Sequence, residues 1–130
     1  MMNELGVDLV LRLHCNGSTN KSANGIGLYV RKTGTNADKC LEAAEALMPE
    51  MISATGARKD GIFRNDTYSG LNWSEVPSIL VEMGFMSNAQ EDVLLGTPEY
   101  QDKLVSGMVE GVARYSLDQE ILEICHVNFV

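Results

Sequence analysis

Leu9, Leu11 and Leu13 alternate with Asp8, Val10 and Arg12. That alternation predicts a strand over residues 7–14 with one apolar face and one mixed face, ending at His14. Ser78, Ile79, Leu80 and Val81 form an unbroken run of small and apolar residues. Such a run predicts a strand at 78–81 covered on both faces, and Pro77 suits its start. Glu82 follows at once, so the strand delivers a carboxylate at its end, and Gly84 permits a tight turn beyond it. A third strand is predicted at 25–30, where Gly25 and Gly27 mark a bulge or a close approach. Leu41, Ala44, Leu47, Met48, Met51 and Ile52 recur at helical spacing, which predicts an amphipathic helix over 37–54. Pro49 falls inside it and is expected to kink or split it, and Gly56 is its expected stop. A short helix is predicted at 89–95, capped by Ser87 or Asn88, and a last one at 99–115 with Leu104, Met108, Val112 and Tyr115 on one face. Residues 57–74 are polar and read as one long loop, a kind of segment that is often functional. Residues 116–130 have no period that places them.

Strands alternating with helices predict an α/β fold. At 130 residues the chain has the length of about one domain. The net charge of −8 argues against a nucleic-acid backbone or an anionic membrane surface as partner, since both call for a basic face. No run is long enough to span a bilayer, and no export signal is visible. Cys15, Cys40 and Cys125 are odd in number and widely spaced, so they form no disulfide framework and read as ordinary buried thiols.

Two groups stand out chemically. His14 ends one strand and Glu82 ends another, and in an α/β sheet ligands bind at the carboxyl ends of strands. An imidazole is a common metal ligand, and a carboxylate beside a metal can serve as general base. Opposed to this, Glu82 could pair with an arginine or cap a turn, and a lone histidine at a strand end is more often structural. No HExxH, GxSxG, P-loop or GxGxxG occurs. Cys15 adjoins His14, but neighbouring residues of a strand point to opposite faces.

Three blocks carry a family resemblance. The first runs from Asn3 through His14-Cys15-Asn16-Gly17-Ser18. The second is Gly25-Ile26-Gly27-Leu28-Tyr29-Val30. The third runs from Ser69-Gly70-Leu71-Asn72-Trp73-Ser74 through Pro77 to Glu82-Met83-Gly84-Phe85-Met86-Ser87-Asn88, and on to Tyr100-Gln101 and Gly111-Val112-Ala113-Arg114-Tyr115. Together they resemble the zinc-dependent N-acetylmuramoyl-L-alanine amidases that cleave bacterial cell wall.

The resemblance implies a three-layer α/β domain over 1–115, with a central mixed or mostly parallel sheet flanked by helices. It implies Zn2+ as cofactor, His14 as a zinc ligand and Glu82 as the catalytic glutamate acting on a zinc-bound water. The bond cut would join N-acetylmuramic acid to L-alanine in peptidoglycan, outside the cell or at its wall. Asn16 is placed to orient His14 or substrate, and Arg64, Asn65 and Asn72 to line the groove; ordinary loop roles for these residues are at least as well supported. The family's first strand and helix, with two further zinc ligands, have no counterpart here. The domain therefore reads as truncated, with an uncovered sheet edge open to self-association. A non-catalytic wall-binding remnant is the alternative.

Overall fold

The computed structural model describes residues 2–118. After a 3-10 turn at Met2–Glu4 come β1 (Val10–Asn16), β2 (Ile26–Val30), α1 (Ala37–Thr55), β3 (Lys59–Arg64), α2 (Ser69–Asn72), β4 (Ser78–Phe85), α3 (Ala89–Leu95) and α4 (Pro98–Asp118). The strands form one sheet in the order β1-β4-β2-β3. β1 pairs with β4 in parallel, β2 with β3 in parallel, and β2 with β4 antiparallel. The architecture is a mixed, mostly parallel α/β sheet flanked by helices.

The alternation in β1 does what it predicts. Leu9, Leu11 and Leu13 join Ile26, Leu28, Val30, Ile79 and Val81 in the core beneath α1 and α4. Leu47, Met48 and Met51 of α1 are fully buried there, each contributing about 1.5–3 kcal/mol of apolar burial. The two long helices approach closely at Gly107 and Gly111. A Cβ on Gly111 would lie 2.6 Å from the Leu47 Cα, so only hydrogen fits. Arg114 and Glu50 bridge the same pair at 2.8 Å. Among the described residues, α2 and the rings of Tyr29 and Phe63 lie on the opposite face of the sheet.

Four expectations are corrected. α1 runs unbroken through Pro49 to a left-handed Gly56 cap. Pro49 is on the solvent side, where water can satisfy the carbonyl one turn back that the proline deprives of a donor. The polar stretch 57–74 is not one loop, because it contains β3 and α2. β3 is a half-exposed edge strand with Gly61 at its centre, so it shows no apolar alternation. β4 does not end before Glu82 but continues to Phe85. A one-residue bulge accommodates this: His14 pairs with Glu82, yet Asn16 pairs with Phe85. α4 extends through residues 116–118, and the remainder of the unplaced tail lies outside the described residues.

Candidate active site

Parallel pairing sets His14 directly beside Glu82 on the sparsely covered face. Two residues back along each strand, Arg12 pairs with Leu80. Alternation puts all four side chains on one side of the sheet. They line a cleft of about 200 Å3 closed by Tyr68, Ser69, Gly70 and Leu71. Cys15 points the other way, into a larger apolar hollow with Met83, Leu104 and Met108. Burial, with Glu82 and Asp92 nearby, pushes its thiol pKa up, so it offers no nucleophilic thiolate.

Glu82 is 9% exposed, and its Oε2 has no hydrogen-bond partner. A buried, unpartnered carboxylate oxygen is costly to keep. Burial pushes the Glu82 pKa up, and the His14 charge pulls it partly back. A carboxylate held in this way is a better proton acceptor near neutral pH than a solvated one. On its other side Glu82 pairs with Gly27, which keeps that flank low. Tyr29 stacks on Phe63 with centroids 4.8 Å apart, and Tyr68 meets Tyr29 edge-on at 5.4 Å. The three rings make a wall running from the cleft towards β3.

Asn16 accepts from the Gly17 N–H at 2.8 Å. Its side chain lies beside the Tyr29 hydroxyl at the edge of the aromatic wall, and among the described residues it makes no bond to His14. Arg64 donates to the Lys32 carbonyl, Asn65 accepts from Thr67, and Asn72 donates to the Asp66 carbonyl. These three hold their own connections together and do not line the cleft. Asp66 anchors that segment, accepting from the Lys32 and Thr33 amides and the Thr33 hydroxyl. These hydrogen bonds, led by that of Thr33, lower its pKa. Arg12, Tyr68 and the Tyr29–Phe63 pair were missed by sequence reasoning. For Arg12 the signal was present, since it lies two positions before His14 on the same face.

The carboxyl end of the cleft is braced by Glu91, which accepts from the Gly25 N–H through both oxygens and from the Phe85 N–H, each at 3.0 Å. Asn88 caps α3 by accepting from Gln90 and Glu91, while the Ser87 hydroxyl accepts from the Ser18 N–H at 2.9 Å.

As a metal centre the donor set is partial. His14 supplies an imidazole, and the orphaned Glu82 oxygen suits a base next to a bound water. Among the described residues no group of three or more His, Cys, Asp or Glu could hold a metal ion. No helix among them is long and apolar enough to cross a membrane.

Comparison with known proteins fits this arrangement. A family model described as N-acetylmuramoyl-L-alanine amidase matches residues 1–114. The N-acetylmuramoyl-L-alanine amidase Rv3717 of Mycobacterium tuberculosis is 30% identical over 129 residues, covering 92% of this chain and 52% of its own length. LytC of Bacillus subtilis is 30% identical, covering 83% of this chain and 21% of its own. The chain therefore spans about half or less of the length of these relatives. The crystal structure of an N-acetylmuramoyl-L-alanine amidase from Clostridium difficile 630 superposes with a TM-score of 0.81 at 30% identity, covering 91% of this chain and 62% of that one. Ami1 of Mycobacterium smegmatis, at 22% identity and a TM-score of 0.83, shares the fold. A match spanning nearly all the described residues is sufficient: this chain belongs to the N-acetylmuramoyl-L-alanine amidase family.

Proposed function

We propose that this domain, residues 1–115, takes part in hydrolysing the amide between N-acetylmuramic acid and L-alanine in peptidoglycan. The observation that carries the reading is the buried, unpartnered Glu82 oxygen facing an open cleft beside His14. Glu82 takes the proton from the attacking water and delivers it to the leaving alanine nitrogen. His14 is the ligand that the described residues of this chain offer to a zinc ion. When bound, such an ion polarises the scissile carbonyl. The aromatic wall and the α2 backbone keep water from one side of the cleft and orient the substrate. Action at the cell wall, outside the membrane, belongs to this reading.

The incomplete donor set supports a second reading, a wall-binding domain without turnover. Release of amino groups from purified peptidoglycan, with added Zn2+ and with a chelator, separates the two. Zinc-dependent release that Glu82→Ala abolishes, with unchanged zinc content, supports hydrolysis. Retention on peptidoglycan with no release and no chelator effect supports the binder. Pairing of a second copy along the β1 edge also belongs to this proposal. Val105 and Val109, 38% and 55% exposed on α4, add apolar surface available for that association. Sedimentation velocity reads the outcome as dimer or monomer.

A further inference from the structure

Among the described residues, Arg12 is a cation without a partner in the cleft that holds the candidate base. It lies in β1 two residues before His14, opposite Leu80 of β4. Among the described residues it makes no ion pair and no hydrogen bond, in a chain with a net charge of −8. Glu82, the acid that lines the cleft, sits opposite His14 in the register of the sheet, with Arg12 two positions back and opposite Leu80. Asp60, further along the same sheet face, is bridged to Arg58 at 3.3 Å. Arg12 is thus not consumed by either carboxylate.

Its placement is also prepared. The guanidinium lies against the backbone of α2 at Gly70, where any Cβ would overlap its Nη1. Tyr68, Ser69 and Leu71 close the same side of the cleft. A planar guanidinium held against a backbone presents paired N–H donors in fixed orientation, the arrangement that matches a carboxylate.

We infer that Arg12 is the carboxylate anchor of this cleft, binding the free α-carboxylate of the second stem-peptide residue, and that it selects muramoyl peptides in which that group is not amidated. The inference rests on the amidase reading and specifies its substrate. Spacing supports the assignment. Arg12 and His14 are two strand positions apart, about 6.7 Å. From the scissile carbonyl, across alanine, to the α-carboxyl of the next residue is roughly 7 Å in an extended chain. With the scissile bond at His14 and Glu82, the peptide laid antiparallel to the direction of β1 brings that carboxylate to Arg12. The lactyl carboxylate of muramic acid, freed by hydrolysis, is a second source of the same chemistry, and the test separates it.

The test is titration of the full 15N-labelled chain with three probes, read from the β1 amides and the Arg12 side-chain N–H. The probes are N-acetylmuramoyl-L-alanyl-D-glutamate, the same compound with its α-carboxyl amidated, and N-acetylmuramic acid. No turnover is required, so the readout is independent of metal loading. The acid dipeptide is expected to bind about tenfold more tightly than the amide, in keeping with a charge-assisted pair. Arg12→Gln brings the acid form to the level of the amide, and Arg12→Lys restores part of the difference. Equal binding of the two dipeptides by the unmodified chain overturns the inference and leaves the amidase reading intact. If, besides, N-acetylmuramic acid binds and Arg12→Gln abolishes that binding, the anchor takes the lactyl carboxylate instead. Binding of none of the three overturns the amidase reading and the inference with it.

Discussion

Replacing Glu82 with Gln should stabilise the folded chain at neutral pH while removing its proton acceptor. The side chain keeps its size, so packing around Leu80 and Gly27 is undisturbed. The change is in charge. Glu82 is 9% exposed, and its Oε2 has no partner. Leaving a buried acceptor unsatisfied costs about 1–3 kcal/mol, and more when it is charged. A neutral amide at the same place still loses some hydration, which leaves a net gain of about 1 kcal/mol, or about 4 °C in Tm for a domain of this size. The gain has a required pH dependence. Burial places the folded pKa of Glu82 above its ordinary value of 4.5. A group shifted in this direction contributes stability that is complete below its unfolded pKa and is lost as pH rises through the folded one. Gln does not titrate. Its advantage is therefore near zero at about pH 3.5 and full at about pH 8, two conditions either side of the unfolded glutamate pKa. Urea unfolding of both proteins by circular dichroism measures the difference. A variant no more stable than the parent at high pH, or a difference independent of pH, would refute the claim that the carboxylate is held at a cost.

Two more perturbations test the frame around the cleft. Gly111→Ala sets helix propensity, about 1 kcal/mol in favour of Ala, against overpacking of about 1–3 kcal/mol. The obstacle is the α1 backbone at Leu47, 2.6 Å from the new Cβ, which cannot rotate aside, so thermal melts should show a lower Tm. Glu91→Ala removes both carboxylate oxygens, which now receive the backbone donors of Gly25 and Phe85. The expected loss is about 2 kcal/mol with faster hydrogen exchange at those two amides, and unchanged exchange would show that the brace is not needed.

The elements legible in the sequence were those whose residues report on burial. β1 alternates because one face lies on α1 and α4, and the unbroken run at 78–81 reflects a central strand. β3 was invisible because an edge strand with glycine at its centre buries too little to leave a pattern. Pro49 misled because its usual cost depends on where the freed carbonyl points, and sequence does not show which face is wet. The site was half legible. His14 and Glu82 were readable because a carboxylate next to a buried apolar run needs a reason. Arg64, Asn65 and Asn72 drew attention because polar loop residues look the same whether they bind a ligand or their own backbone. Arg12 was passed over as part of the mixed face, although its place two positions before His14 put it on the same face, and register adds that this face is the cleft.

That register explains why the chemistry sits in mid-sheet. β4 is parallel to one neighbour and antiparallel to the other, so Glu82 has His14 on one side and Gly27 on the other. A Cβ added to Gly27 would only touch the Tyr29 ring at 3.4 Å and the Phe63 ring at 3.5 Å, in ordinary van der Waals contact. The glycine thus leaves the flank of the carboxylate low beside the two rings. The bulge beyond Glu82 then turns β4 so that the Phe85 amide reaches Glu91, while the Met86 amide reaches the Asn16 carbonyl at 2.8 Å. Two carboxylates nine residues apart thus have opposite roles. Glu91 is saturated with backbone donors and fixes the frame, whereas Glu82 is deprived of them and remains reactive. Exchanging those environments, and not the residues alone, is what would exchange their functions.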